Sequence, residues 1–254
     1  MIVPLSESRE PELLGAVRSR LEGSKHNHYV QEVLKRLGNC KTYMWGGAVR
    51  DPIVKKRYGM PLEEKDDFDL LFDDSDGSVE FRKLLRGMGD LYYTRLGSPK
   101  LKPEEGVEIS VTPFSNAARL RNGQKLPICL ETALWSCDFN TGSIAYGLHD
   151  DTIYSGLAFE GIDGKEIDLL YPHGEEPHIL MCRLILQSRR LGFRMGDDAI
   201  RFIVEGYGPE MDSHMRMYMK YKEIDRDIQD YVIGRVGQIQ SQGVYFNPAD
   251  KFLV

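Results

Sequence analysis

Residues 67–72 read Asp-Phe-Asp-Leu-Leu-Phe, and this hexapeptide constrains the fold more than any other stretch of the chain. Alternate residues of a strand point to one face, so as a strand it sets Asp67 and Asp69 side by side while Phe68, Leu70 and Phe72 face a core. Two carboxylates on one face repel unless a cation neutralises them. Hard oxygen ligands suit Mg²⁺, which binds through one or two carboxylates plus substrate phosphates. The bland reading starts from the acidic run Glu63-Glu64-Lys65-Asp66-Asp67, because such runs are usually solvated loops. Here, however, the pair opens an apolar β-run.

Some twenty residues upstream, Lys41-Thr42-Tyr43-Met44-Trp45 reads as another strand, followed by Gly46-Gly47 and a helix-like run from Ala48. Glycines at the entrance of a helix let backbone N–H groups face a phosphate with no Cβ in the way. A Gly-Gly turn alone is mostly punctuation between elements. Beside the paired aspartates it supplies the phosphate half of a site whose metal half is Asp67 and Asp69.

The rest of the chain changes character along its length. Apolar residues recur at helical spacing over Pro11–Leu21 and His28–Leu37, the latter ending at Gly38, a C-cap residue. Short β-like runs follow at 41–45, 67–72, 90–96, 107–114 and 151–160, with a helical stretch at 79–85. From Pro177 onward the pattern is helical only, as in Ile179–Phe193 and Asp197–Tyr207. The pattern predicts an α+β protein: N-terminal helices over 1–40, a mixed-sheet head over 41–172 and a small helical part over 173–254.

Composition narrows the classes of function. No run approaches the ~18 apolar residues of a membrane span, and the N-terminus turns polar before a signal core forms, so a cytoplasmic chain is expected. Cys40, Cys129, Cys137 and Cys182 are dispersed, which fits reduced thiols; Cys137 is expected to be buried and inert. A net charge of -6 argues against a broadly basic surface for duplex nucleic acid. His26-Asn27-His28 reads as a surface turn, and Trp45 as core. The stretch 214–226 mixes cations with aromatics; Tyr218 and Tyr221 would stack on RNA bases, but Met217, Tyr218 and Tyr221 at helical spacing more often form core.

Gly46-Gly47-Ala48-Val49-Arg50-Asp51 followed by Asp67-Phe68-Asp69-Leu70 resembles the signature of the class II tRNA nucleotidyltransferase and bacterial poly(A) polymerase head domain, within the DNA polymerase β-like nucleotidyltransferase superfamily. Glu108 stands where that family has a carboxylate on a later strand. Asp138-Phe139 with Ala145-Tyr146 resembles its RRDFTINALAY motif, and Arg183–Phe193 resembles its neck helix. The resemblance covers about residues 41–205.

It implies a polymerase β-like head in which Asp67, Asp69 and Glu108 are catalytic and hold two Mg²⁺ ions. It also implies that Gly46, Gly47, Arg50 and Asp138 contact an NTP (ATP or CTP), Asp51 orienting Arg50. The expected reaction moves NMP to an acceptor hydroxyl, foremost an RNA 3′ end, with release of pyrophosphate. A protein or small-molecule acceptor, or a weakly catalytic nucleotide-binding relative, are the alternatives.

Three departures from the family pattern bear on that expectation. Ser136-Cys137 replace its two arginines and Gly142 its asparagine, with Arg119, Arg121 and Lys125 as nearby replacements. The base-reading EDPxR segment becomes Glu175-Glu176-Pro177-His178-Ile179-Leu180, one residue out of step with Arg183. The chain ends about fifty residues beyond the neck-like helix, so a full tRNA clamp and ordered CCA addition are not expected.

Overall fold

The computed structural model describes residues 4–62, 67–75, 81–93, 98–104, 107–172 and 175–242. The acidic run 63–66, the start of the helix expected at 79–85 and the end of the strand expected at 90–96 lie outside these residues. Two compact units divide the chain: Met1–Cys137 with Gly142–Ala158, and Asp138–Thr141 with Phe159–Val254.

The first unit is built on one eight-stranded mixed sheet. Its strands are β1 (Ser6–Ser8), β2 (Thr42–Trp45), β3 (Phe68–Phe72), β4 (Asp90–Tyr93), β5 (Pro99–Lys102), β6 (Ile109–Pro113), β7 (Ile144–Gly147) and β8 (Thr152–Ser155), in the order β1-β8-β7-β2-β3-β6-β5-β4. Every neighbouring pair is antiparallel except β3 and β6. Helices α1 (Pro11–Glu22), α2 (Asn27–Leu37), α3 (Gly47–Tyr58), α4 (Phe81–Leu84), α5 (Ala118–Arg121) and α6 (Leu130–Leu134) accompany it.

Alternation explains the central strands. Phe68, Leu70 and Phe72 of β3 are fully buried, as are Met44 of β2 and Ile109 and Val111 of β6. At about 25 cal/mol per Å² of apolar surface, each such aromatic or branched side chain contributes roughly 1.5–3 kcal/mol. Leu71 points the opposite way, into a second cluster with Tyr43, Phe114, Leu130, Ala133, Leu134 and Ala145, against which Trp45 packs. Both sheet faces are therefore covered along much of their length. The N-terminal helices form as their periodicity predicts: Val17, Val30 and Val33 are fully buried, and Gly38 follows α2 with φ 61°.

The second unit comprises α7 (Ala158–Asp163), β9 (Glu166–Ile167), α8 (Pro177–Leu191), β10 (Arg194–Met195), α9 (Asp197–Gly206), α10 (Met211–Tyr221) and α11 (Arg226–Gln242), with β9 and β10 parallel. Pro177 starts α8 at a position where its missing N–H costs nothing, and Gly192 caps its far end in the left-handed conformation. Residues 138–141 belong here because Asn140 ties them to the chain around β9: its N–H donates to the Asp168 carbonyl, and its Oδ1 accepts from the Asp168 N–H. Phe139 also bridges Leu169.

Several expectations are corrected. The run 151–160 is not one strand: β8 ends at Ser155, Gly156 interrupts it, and α7 begins at Ala158, whose N–H is capped by Ser155 Oγ. His26 is buried directly before α2 rather than lying in a surface turn, with Nδ1 3.7 Å from Glu104. Cys137 is half-buried, its thiol donating to the Gly142 carbonyl. On α10 the core positions are Met215 and Met219, whereas Met217 and Tyr221 are 65% and 80% exposed. Among the described residues, no helix is long and apolar enough to cross a membrane.

Candidate active site

Sheet register assembles the carboxylates that the sequence singles out. Asp69 pairs with Ser110 and Phe68 with Ile109, and the Phe68 N–H donates to the Glu108 carbonyl at 3.4 Å. Continuing that parallel register sets Asp67 beside Glu108. Neighbouring residues of adjacent strands share a face, so Asp67, Asp69, Glu108 and Ser110 all project from the same side of the sheet. The row extends to Lys100, which pairs with Ser110, and to Tyr92, which pairs with Lys100.

Charge on this face is unevenly compensated. Burial raises the pKa of Asp69 above its ordinary value; the Ser110 hydroxyl and the Lys100 ammonium pull it down, and Asp67 and Glu108 push it up. Burial opposes ionisation of Glu108 as well, but hydrogen bonds from Lys100 and Tyr92 outweigh it and hold its pKa below the ordinary value. Lys100 Nζ binds Glu108 Oε1, and the Tyr92 hydroxyl binds Oε2. Among the described residues, no three His, Cys, Asp or Glu side chains converge as a metal cluster. Asp67 and Asp69 nonetheless suit a divalent cation, because they offer hard anionic oxygens side by side on one sheet face.

The glycine turn stands at the same end of the sheet. Met44 pairs with Leu70, so the antiparallel register brings Trp45 opposite Asp69 and carries the chain into Gly46-Gly47 beside the start of β3. Gly46 has φ 64° and ψ −131°, a conformation open to glycine and strained for other residues. Its N–H donates to the Ile144 carbonyl, and its carbonyl accepts from Val49 and Arg50, closing the first turn of α3. The first N–H groups of α3 have no partner within the helix, which favours an anion there. Buried Arg50 braces the turn: its Nε and Nη2 donate to Asp51 Oδ1 at 2.8 and 2.6 Å, and a Cβ on Gly47 would stand 3.4 Å from Nη2.

Asp138 lies in the second unit. Arg183 donates to its carboxylate and passes 5.7 Å from the centre of the Phe139 ring. Burial pushes the Asp138 pKa up while Arg183 pulls it down. In the first unit, Ser136, where the resemblance leads one to expect an arginine, is buried; its hydroxyl donates to the Thr132 carbonyl and accepts from the Arg119 N–H. Sequence reasoning missed Lys100 and Tyr92. One lysine and a tyrosine pair in Leu91–Leu101 carry no motif, and only the register of β4, β5 and β6 brings Lys100 and Tyr92 to Glu108.

No protein-family model matches the chain, and no curated protein matches it. Solved structures do match in fold. One is a CCA-adding enzyme in complex with CTP, at 17% identity and TM-score 0.61, covering 91% of this chain and 55% of that one. Another is a CCA-adding enzyme in complex with ATP, at 17% identity and TM-score 0.62, covering 93% and 55%. A third is the Thermotoga maritima CCA-adding enzyme complexed with tRNA, at 16% identity and TM-score 0.60, covering 93% and 55%. The mixed sheet and its helices thus have the nucleotidyltransferase head fold that the sequence resemblance implies. The chain spans about half the length of these structures.

Proposed function

We propose that this chain is a metal-dependent nucleotidyltransferase that moves NMP from an NTP to an acceptor hydroxyl, foremost the 3′ end of an RNA, and releases pyrophosphate. The observation that carries the reading is the placement of Asp67 and Asp69 on one sheet face, at the same end of the sheet as the Gly46-Gly47 entrance to α3. The fold shared with CCA-adding enzymes bound to CTP, ATP and tRNA supports the same reading.

In this reading Asp67 and Asp69 hold Mg²⁺, two ions being expected together with the substrate phosphates. When bound, the metal supplies Lewis-acid stabilisation of the charge on the attacking and leaving oxygens. The remaining work belongs to the chain. Backbone N–H groups of the first turn of α3, from Gly47 on, receive the triphosphate; Gly46, its own N–H given to Ile144, shapes the turn, and Arg50, fixed by Asp51, adds positive potential there. Ser110 orients the Asp69 carboxylate through its hydroxyl. The acceptor oxygen attacks the α-phosphorus, the bond to the β-phosphate bridging oxygen breaks, and the acceptor proton leaves to solvent or base. Within the second unit, Asp138 is proposed as a nucleotide contact acting through Arg183.

Incubation of the full chain and Mg²⁺ with each α-labelled NTP and a pool of total RNA tests the function. Label is expected in RNA. Label in a protein or a small molecule would redirect the acceptor, and no label in any acceptor would overturn the reading.

A further inference from the structure

Glu108 has the look of a third metal ligand in the sequence, but in the fold it is already engaged. Lys100 and Tyr92, on two successive strands beyond Ser110, donate to its two different oxygens. Lys100 and Glu108 are 26% and 29% exposed at their side chains, so the pair is shielded from water more than a surface ion pair. Lys100 pairs across the sheet with Ser110, which pairs in turn with Asp69, so the ammonium and that carboxylate share one face two strands apart. Lys102, two residues further along β5, adds positive charge toward Glu108 and lies 5.4 Å from the centre of the Tyr92 ring. The Lys100 ammonium thus lies on the far side of Glu108 from Asp67 and Asp69, one strand further along the same sheet face.

We propose that Lys100 is a positioning residue of the carboxylate centre: together with Tyr92 it holds Glu108 away from the divalent cation and sets how much negative charge the cation meets at Asp67 and Asp69. The inference rests on the nucleotidyltransferase reading. Three unopposed carboxylates attract a divalent ion more strongly than three with a resident ammonium, because a like charge a few ångströms away repels the incoming ion. Lys100 therefore weakens cation binding in the resting protein, and Glu108 offsets that effect by holding the ammonium off Asp69.

The test is the affinity of the purified full chain for Mn²⁺, read by electron paramagnetic resonance without nucleotide. Lys100→Met is expected to tighten Mn²⁺ binding about tenfold by releasing Glu108. Glu108→Gln is expected to weaken it about tenfold, since Lys100 then faces Asp69 unopposed. The two changes together return affinity to within about threefold of wild type, and Lys100→Arg, which keeps the charge, leaves it near wild type. A purely structural ion pair predicts none of these shifts. Unchanged or weaker Mn²⁺ binding in folded Lys100→Met overturns the proposal. So does a double variant about tenfold weaker than wild type, which would make Glu108 itself a ligand. Should Lys100→Met lose its fold by circular dichroism, Glu108→Gln carries the test, and unchanged affinity there overturns the proposal. Asp67→Ala with Asp69→Ala separates the metal centre from the role of Lys100. If that variant binds Mn²⁺ normally, the metal centre itself falls; if it loses Mn²⁺ while Lys100→Met changes nothing, only the role of Lys100 falls.

Discussion

Asp69 in the first unit and Asp138 in the second are both shielded acids whose pKa burial pushes up, yet they meet opposite surroundings. Asp138 has an arginine of its own, Arg183, which donates to its carboxylate. Asp69 shares its face with Asp67 and Glu108, and Lys100, a cation that acts on it, is tied to Glu108. One acid has a guanidinium of its own, and the other is set beside two like charges that Ser110 and Lys100 offset in part. The difference separates a carboxylate held by a partner in its own unit from one crowded by like charges, which burial alone does not do.

The largest expected effect breaks the comparison on the functional side. Asp67→Ala or Asp69→Ala is expected to lower nucleotide transfer on the order of a thousandfold at saturating Mg²⁺, with the fold retained by circular dichroism. Next is Arg183→Ala, which leaves Asp138 shielded without its partner and is expected to destabilise the second unit by about 1–3 kcal/mol in urea unfolding. A midpoint unchanged from wild type would refute the structural role of that pair. Gly47→Val pushes a branched side chain toward Arg50 and Asp51 where phosphate is proposed to approach, and is expected to weaken NTP binding about tenfold by calorimetry. If affinity holds in the folded variant, the loop is only a turn.

The smallest effect sharpens the contrast through pH. The folded-state pKa of Asp69 lies above its ordinary 3.8, so its favourable contribution to the metal-free protein is fully present below that value and is lost as pH rises through the folded-state pKa. Asp69→Asn in EDTA is therefore expected to melt higher than wild type by about 2–4 °C at pH 7 and to lose that advantage near pH 4. Equal melting at both pH values would show that Asp69 is not penalised by its surroundings.

The strands that carry the candidate site were legible because sidedness is written into them: Phe68, Leu70 and Phe72 alternate with Asp67 and Asp69, and Trp45 leads directly into two glycines. Elements stabilised by their neighbours were not. β1 reads Ser-Glu-Ser and exists because it pairs with β8 at the sheet edge, and β5 reads Pro-Lys-Leu-Lys, with one buried leucine against two lysines. The run 151–160 misled because its apolar residues satisfy a strand before Gly156 and a helix after Ala158. Met217 and Tyr221 share a helical spacing with each other but lie off the face of Met215 and Met219, so period alone gave a stripe without saying which stripe is buried. Lys100 belongs to the same class of miss, since its partner is eight residues away in sequence and on the next strand in the sheet.

The central claim, cation-dependent nucleotidyl transfer at the Asp67 and Asp69 pair, meets its most direct test in the fate of isotope from α- and γ-labelled NTP incubated with the full chain and RNA. With Mg²⁺, α-label is expected in RNA and γ-label in pyrophosphate, both abolished by EDTA and by Asp67→Ala with Asp69→Ala. Transfer of α-label that persists in the double aspartate variant, or γ-label appearing in the acceptor or as orthophosphate, would contradict it.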